Sequence, residues 1–195
     1  MKSSLSLDVL VIIGSLDLGG TEKHLLNIVP RLGEQGLQIA VAAFIRPGKL
    51  APLLEKEGIC IFSPNIPKWL ETITPIMLLL KVLWLGKLIA SLRPTAVHTF
   101  LPHAYLLGGL WAVLLRIPVR IMSRRSLNHY QQQHPLLRRL EYWLHGQTHL
   151  LLGNSDAIVR QLKIEAGKNA DRVQIIRNGI DTKSFFPTKS LVQVR

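Results

Sequence analysis

The sequence predicts a doubly wound, Rossmann-like α/β domain with a mostly parallel sheet. Three observations carry this. Short apolar runs alternate throughout with longer stretches of helical spacing, as in Val9–Ile13 followed by Thr21–Leu32. Val9–Ile13 is continuously apolar rather than alternating, which suits a strand buried on both faces of a parallel sheet. The segments between successive runs are long enough for right-handed crossovers.

The elements follow in order. After the Val9–Ile13 strand, Gly19 and Gly20 precede a helix in which Leu25, Ile28, Val29 and Leu32 share one face, and Gly33 and Gly36 end it. Leu37–Ile45 is a second strand closed by Pro47 and Gly48, Leu50–Glu57 a short helix stopped by Gly58, and Ile59–Phe62 a third strand. Ser63–Thr74 has the composition of a loop, and Pro75 suits the first turn of a helix that runs to Leu92 before Arg93 and Pro94. Ala96–Phe100 reads as the fourth strand, Ala104–Leu115 as a helix and Val119–Met122 as the fifth strand. Pro135 opens a helix with Leu136, Leu137, Leu140 and Leu144 on one face. Leu150–Leu152 is the sixth strand, Asn154 and Ser155 cap a helix through Ala166, and Val173–Ile176 is the last strand.

At 195 residues and 48% apolar content, the chain is long enough for one domain with an ordinary core. The single cysteine, Cys60, excludes an intramolecular disulfide; within Ile59–Phe62 it reads as a buried structural thiol in a reducing compartment. A formal charge of +12 favours a polyanionic partner, whether nucleic acid, an anionic membrane or a phosphorylated small molecule. The N-terminus lacks a signal-peptide pattern, and the apolar stretches Ile76–Leu92 and Ala104–Leu115 are interrupted or too short to span a bilayer. A cytoplasmic protein is expected, with peripheral contact at the inner membrane face left open.

In such sheets ligands bind beyond the carboxyl ends of the strands, which singles out the segments Gly14–Gly20, Arg46–Gly48, Ser63–Pro67, His98–His103, Ser123–Asn128 and Gly153–Ser155. Paired glycines before a helix let backbone N–H groups approach an anion, although a tight turn alone would also use them. The spacing is neither G-x-G-x-x-G nor a P-loop, and the second strand ends in Arg46 with no acid to hold a ribose. Arg124 and Arg125 follow the fifth strand, where guanidinium groups suit a phosphate or carboxylate; one of the two is expected to face elsewhere, and Arg124 is the favoured ligand. The histidines and acids show no metal-ligand spacing. Two basic, apolar-rich helices, one with Lys81, Trp84 and Lys87 and one with Arg138, Arg139 and Trp143, read either as core-packed or as resting on an anionic membrane.

The segments LGGTEKHLLNIVPRLGEQGLQIAV, PTAVHTFLPHAYLLGGLWAVLLRIPVRIMSRRS, LLGNSDAIVRQL and VQIIRNGIDTKSFFP resemble, in order and spacing, the N-terminal half of family 4 glycosyltransferases of the GT-B fold. The likeness spans Val9 to Pro187. It implies an acceptor-side domain over residues 1–187, a linker or tail over 188–195, and a C-terminal donor-binding domain outside this sequence. It further implies sugar transfer from a nucleotide-sugar co-substrate to a hydroxyl of a glycan or lipid-linked acceptor, with no metal and no other cofactor. The backbone of Gly19 and Gly20 would meet the donor diphosphate. His98 would face the cleft as the candidate catalytic group, with Thr21, Arg124, Arg125 and Asn128 as cleft-facing residues. The family often carries His-x-His at the fourth strand, but Phe100 stands at the second place, so a two-histidine role does not carry over. His103, in the next turn, is a weaker candidate for facing substrate. Two other readings stand beside this one. The first is a stand-alone module on RNA or membrane, although no nucleic-acid motif supports the RNA form. The second is half of a sugar-nucleotide epimerase.

Overall fold

The computed structural model describes residues 7–65, 74–127 and 130–179. Asn128, half of the Asn-Gly-Ile-Asp segment (Ile180, Asp181), most of the expected 63–74 loop and the 188–195 tail lie outside these residues. Seven strands form one sheet: β1 (Val9–Ser15), β2 (Ile39–Arg46), β3 (Cys60–Phe62), β4 (Ala96–Phe100), β5 (Val119–Arg124), β6 (Leu150–Gly153) and β7 (Val173–Ile175). Their order is β3-β2-β1-β4-β5-β6-β7, and every described pairing is parallel. The sheet is thus wholly parallel among the described residues, where the sequence predicted mostly parallel.

The helices are α1 (Gly20–Glu34), α2 (Ala51–Lys56), α3 (Thr74–Leu92), α4 (Pro102–Ala104), α5 (Leu110–Leu114), α6 (Tyr130–Gln133), α7 (Pro135–Gln147) and α8 (Asp156–Ala166). A π-helical turn, Tyr105–Gly109, joins α4 to α5, so the expected 104–115 helix is three pieces. Ser155 alone caps α8, its hydroxyl accepting from the Ile158 amide at 3.4 Å.

Alternation along the strands divides the core. Val11 and Ile13 meet Leu25 and Val29 of α1 and Leu54 of α2 on one face. Leu10, Ile12 and Val97 meet Leu85 and Ile89 of α3 on the other. The register Thr99↔Met122↔Leu151↔Val173 continues that second face, where Leu144 of α7 and Leu162 of α8 cover it. Burying side chains of this size contributes about 2 kcal/mol each, which is why these positions set the layer order.

Cys60 is exposed, against the sequence expectation. β3 is a three-residue edge strand paired only with β2. Ile61 packs on the α1–α2 core, which turns Cys60 to the opposite face, where Phe62 packs on the second core and Cys60 is left at the exposed start of the edge strand.

Candidate functional site

Because β1 lies between β2 and β4, the chain reverses direction of winding there: β2 and β3 extend one way and β4–β7 the other. Such a switch point opens a crevice beyond the strand ends, where ligands of doubly wound folds bind. Two segments line it. From β1 the chain passes through Leu16–Gly19 into α1, and from β4 it passes through Leu101 into α4. Leu101 adopts φ 72°, ψ 156°, a conformation L residues avoid at a cost of about 1–3 kcal/mol, and one that clusters at functional sites.

The β1–α1 loop is pinned from β2. The Leu16 amide donates to the Pro47 carbonyl at 3.2 Å, and the Leu50 amide donates to the Leu16 carbonyl at 2.8 Å. Gly48, at φ +79°, passes so close that a Cβ would lie 2.3 Å from the carbonyl carbon of Leu16. Arg46 ends β2 and pairs with Asp17 at 2.7 Å, which holds the Asp17 carboxyl below its usual range. The fold therefore requires glycine at 48. It does not require it at 20, where an added Cβ meets nothing within 4 Å. At Gly19 a Cβ would meet only the carboxylate end of Glu22, which can swing away. Gly20 is exposed and opens α1, whose first N–H groups and dipole favour an anion. Thr21 is buried at 8% exposure, on the stripe with Leu25 and Val29. Its position in the first turn places it at i−4 from Leu25, facing the core rather than the cleft.

A pocket of about 350 Å³ lies on the α1 side of the sheet, over β4, β5 and β6. Ile28, Phe100, Leu152 and Ile176 give it apolar walls, and His24, His98, Ser123, Arg125 and Asn154 bring polar groups to it. His98 sits in the middle of β4 rather than at its end, half-buried. Its Nε2 shares a 2.8 Å hydrogen bond with Ser123 Oγ, and its ring lies 4.3 Å from that of Phe100. Phe100, two residues on along the strand, is core on the same face and packs against α1. The second imidazole of the site comes from α1: His24 lies 6.5 Å from the Phe100 ring, one helical turn after Gly20. Burial, then the positive charge of His24 and Arg125, pushes His98 down to about 3. Burial and Arg125 push His24 down to about 4. Both rings are neutral at pH 7, so each can donate from one nitrogen and accept at the other.

Arg124 and Arg125 diverge because successive residues of a strand point to opposite faces. Arg124 follows Met122 to the α7–α8 side, against the sequence preference for it as the ligand-binding arginine. There its Nη1 donates to Glu165 Oε2 at 2.6 Å and its Nη2 to Glu141 Oε1 at 2.5 Å, all three side chains under 5% exposed. Gln131 donates to Glu141 Oε2 at 2.7 Å, and Tyr105 shares hydrogen bonds with His145 and Thr148. Glu141, His145 and Glu165 bring ligand-type atoms within 4.8 Å of one another, a grouping the sequence reading missed although Glu141 and His145 are one turn apart on α7. The cation that both carboxylates hold is the Arg124 guanidinium. Burial raises Glu165, but hydrogen bonds from His145 and Arg124 together with the arginine's charge outweigh it and leave the carboxyl below its usual range.

Arg125 faces the pocket instead. It donates to the side-chain oxygen of Asn178, and no ion pair joins it to a described acid. Burial lowers its pKa. The Asn154 side-chain oxygen is buried at the pocket with no hydrogen-bond partner among the described residues. Among the described residues the pocket thus offers two arginines without an ion pair, Arg125 and, at its exposed α1 rim, Arg31, together with two neutral imidazoles and an open acceptor. That combination suits a hydroxylated ligand carrying a negative charge. His103 lies apart, exposed on α4 near Arg46 and Lys81 in a separate depression on the other face. Asn128 lies outside the described residues. One contributor, His24, was not singled out from sequence, and Asn154 was marked only as part of the Gly153–Ser155 strand end. The signal for His24 was its i+4 spacing from Gly20 and i−4 spacing from Ile28.

The sequence profile of Glycosyltransferase Family 4 matches residues 18–184. No curated protein sequence matches the chain significantly. Among solved structures, the chain is similar to Anabaena HepE in complex with UDP, with a TM-score of 0.65 and 20% identity over 90% of this chain and 45% of that one. It is similar to MurG of Acinetobacter baumannii, with a TM-score of 0.57 and 16% identity over 91% and 47%. It is similar also to a UDP-N-acetylglucosamine 2-epimerase, with a TM-score of 0.63 and 17% identity over 89% and 48%. The chain spans about half the length of these structures.

Proposed function

The chain belongs to Glycosyltransferase Family 4, and we propose that it forms the acceptor-side wall of an enzyme that moves a sugar from a nucleotide diphosphate to a hydroxyl. The observation that carries the reading is the contrast between two glycines at the switch point: the fold demands Gly48 and leaves Gly20 open, exposed at the start of α1. At the switch point, a glycine that the fold does not need leaves bare backbone open to an incoming group. In this reading the diphosphate approaches Gly19 and Gly20, where bare backbone and the α1 dipole offset its charge. The acceptor occupies the neighbouring pocket. Arg125 holds its negative group, a neutral His98 takes or orients the reacting hydroxyl, and His24 supplies a further hydrogen bond.

No metal or other cofactor enters the scheme; the nucleotide sugar is a co-substrate. HepE was solved with UDP and with UDP-glucose, which favours a uridine diphosphate sugar here. The donor's base and sugar are held by a second domain, and the residues described supply one side of the cleft. The fold is shared with a 2-epimerase, and the family match favours transfer over epimerisation.

The test is a titration of the ¹⁵N-labelled chain with UDP. Amides at Gly19 to Thr21 should shift, with affinity near millimolar and falling with salt, since one helix terminus and one side of a cleft provide only a few kcal/mol. Shifts confined to other surfaces, or unchanged in Gly20→Val, would remove the diphosphate from this loop.

A further inference from the structure

We propose that the two turns leading into β4 and β5, at the amino-end edge of the sheet, form a binding site for the phosphate group of a small molecule. The case begins with the backbone. Among the described residues, three other than glycine have positive φ: Leu101, Arg93 at 43° and Arg116 at 54°. Each arginine stands just past the end of a helix, Arg93 after α3 and Arg116 after α5. The Arg93 amide donates to the Ile89 carbonyl at 2.9 Å and the Arg116 amide to the Val113 carbonyl at 3.0 Å, which closes each helix with a left-handed residue. Glycine fills that place with least strain, and the chain uses it after α1, α2 and α8, at Gly36, Gly58 and Gly167. After α3 and α5 it carries arginine instead, against the steric preference of an L residue.

The ordinary task of a basic residue there is to bond the last helix carbonyls. Two other arginines do this at the end of α7: Arg120 donates to the Gln147 carbonyl at 2.7 Å, and Arg172 to those of Gly146 and Thr148 at 3.1 Å. The side chains of Arg93 and Arg116 make no hydrogen bond and no ion pair among the described residues. Both instead line one pocket of about 570 Å³. The fold holds its two sides together. β4 and β5 start side by side, Ala96 opposite Val119, and the Val119 amide donates to the Thr95 carbonyl at 3.1 Å. Behind them Gly86 of α3 admits the Trp111 ring of α5, whose Nε1 donates to the Val82 carbonyl at 2.9 Å. Ile89, Leu115 and Ile117 give the pocket apolar walls, Thr95 adds a hydroxyl, and no described acid lines it. The two helix ends bring about half a negative charge each, less than two guanidiniums supply, so the pocket stays positive. A fork of N–H donors from each turn suits the oxygens of a tetrahedral phosphate, where a planar carboxylate fills one fork. The apolar walls leave room for the body of a small molecule. This edge lies opposite the switch-point crevice, so the inference does not depend on which reaction the cleft performs.

The experiment is a titration of the ¹⁵N-labelled full chain with inorganic phosphate at constant ionic strength. The amides of Arg93, Thr95, Arg116 and Ile117 should shift together, with a dissociation constant on the order of millimolar. Arg93→Gly with Arg116→Gly separates a binding role from a structural one. Phosphate affinity at this edge should fall about tenfold or more, while Tm should stay level or rise, because glycine relaxes both turns. Arg93→Gln with Arg116→Gln, which keeps bulk at both positions, should lose binding likewise. Arg138→Gln with Arg139→Gln removes the same charge at the start of α7 and should leave the shifts as they were. Absence of shifts at this edge, or wild-type affinity in the glycine variant, would overturn the proposal. Equal weakening in the α7 control would also overturn it, since diffuse surface charge would then account for the binding. So would a Tm several degrees lower in the glycine variant, which would make the arginines structural caps.

Discussion

Gly20→Val and Gly48→Ala should affect this protein in opposite ways. At Gly20 a new Cβ meets nothing within 4 Å, and the residue is exposed in the first turn of α1. Valine there adds no clash, and its helix propensity exceeds that of glycine by a few tenths of a kcal/mol, so stability should change by less than about 0.5 kcal/mol. At Gly48 the backbone has φ +79° and the Cβ would lie 2.3, 2.5 and 2.6 Å from the Leu16 carbonyl carbon, the Leu16 oxygen and the Asp17 nitrogen. Left-handed backbone costs alanine about 1–2 kcal/mol, and the clash is with backbone that cannot rotate away, so the total is on the order of 3 kcal/mol. For a domain of this size, each kcal/mol moves Tm by about 2–4 °C. Thermal unfolding followed by circular dichroism should therefore show Gly20→Val within about 2 °C of wild type and Gly48→Ala lower by about 6–12 °C. In the UDP titration, Gly20→Val should lose its affinity although folded. If Gly20→Val melts as early as Gly48→Ala, Gly20 is a turn residue and the argument from the two glycines fails. If it melts normally and binds UDP as before, the diphosphate does not approach this loop.

Arg124→Ala leaves two carboxylates buried without their cation and should cost about 3–5 kcal/mol by urea denaturation; a loss under about 1 kcal/mol would mean that Gln131 and His145 suffice. Arg125→Ala, by contrast, should leave unfolding within about 1 kcal/mol of wild type while weakening binding of a phosphorylated sugar acceptor at least tenfold in isothermal titration. Stability should fall as pH drops from about 6.5 towards 4. His98 and His24 are neutral in the fold and held down to about 3 and 4, whereas the unfolded chain takes up both protons below about 6.5. Solvent reaches both rings, so the effect is discounted to about 1–2 kcal/mol at pH 5. His98→Gln should flatten this slope, and an unchanged slope would show that His98 titrates normally. Finally, the purified chain should give no turnover with a uridine diphosphate sugar, and robust transfer absent from a His98→Ala control would mean the residues described form a complete donor site.

Much of this architecture was legible because burial in a parallel sheet writes itself into composition. Val9–Ile13 is apolar on both faces because helices cover both, and glycine or proline marks most of the turns between elements. The π-helical turn left no such mark, since a widened helical turn uses the same residues as an α-turn. Cys60 was misread because apolar neighbours were taken as burial, whereas it opens a three-residue edge strand and packing on its face is made by Phe62, not by Cys60.

The site itself was legible at the level of strand ends and not of side chains, and the two arginines show why. A strand end locates a residue along the sheet axis, but the face it points to depends on parity, which is fixed only by a neighbour whose burial is known. Met122 is that neighbour: it packs with Leu144 and Leu151, so Arg124 shares its face and Arg125 takes the other. Thr21 follows the same logic on a helix, four residues before buried Leu25 and therefore inward. Applied to α1, the same rule finds His24, three residues from Thr21 and one turn from Gly20 on the flank that meets Phe100. One helix thus joins the two halves of the proposed chemistry. In the proposed arrangement its first residue would face the diphosphate, and His24, about 6 Å further along its axis, lines the neighbouring pocket. A change that tilts α1, such as one at buried Val29, should therefore weaken nucleotide and acceptor binding together, while Arg125→Ala should weaken only the acceptor. Loss of nucleotide binding alone on altering Val29, in a variant that stays folded, would show that the two subsites are not coupled through α1.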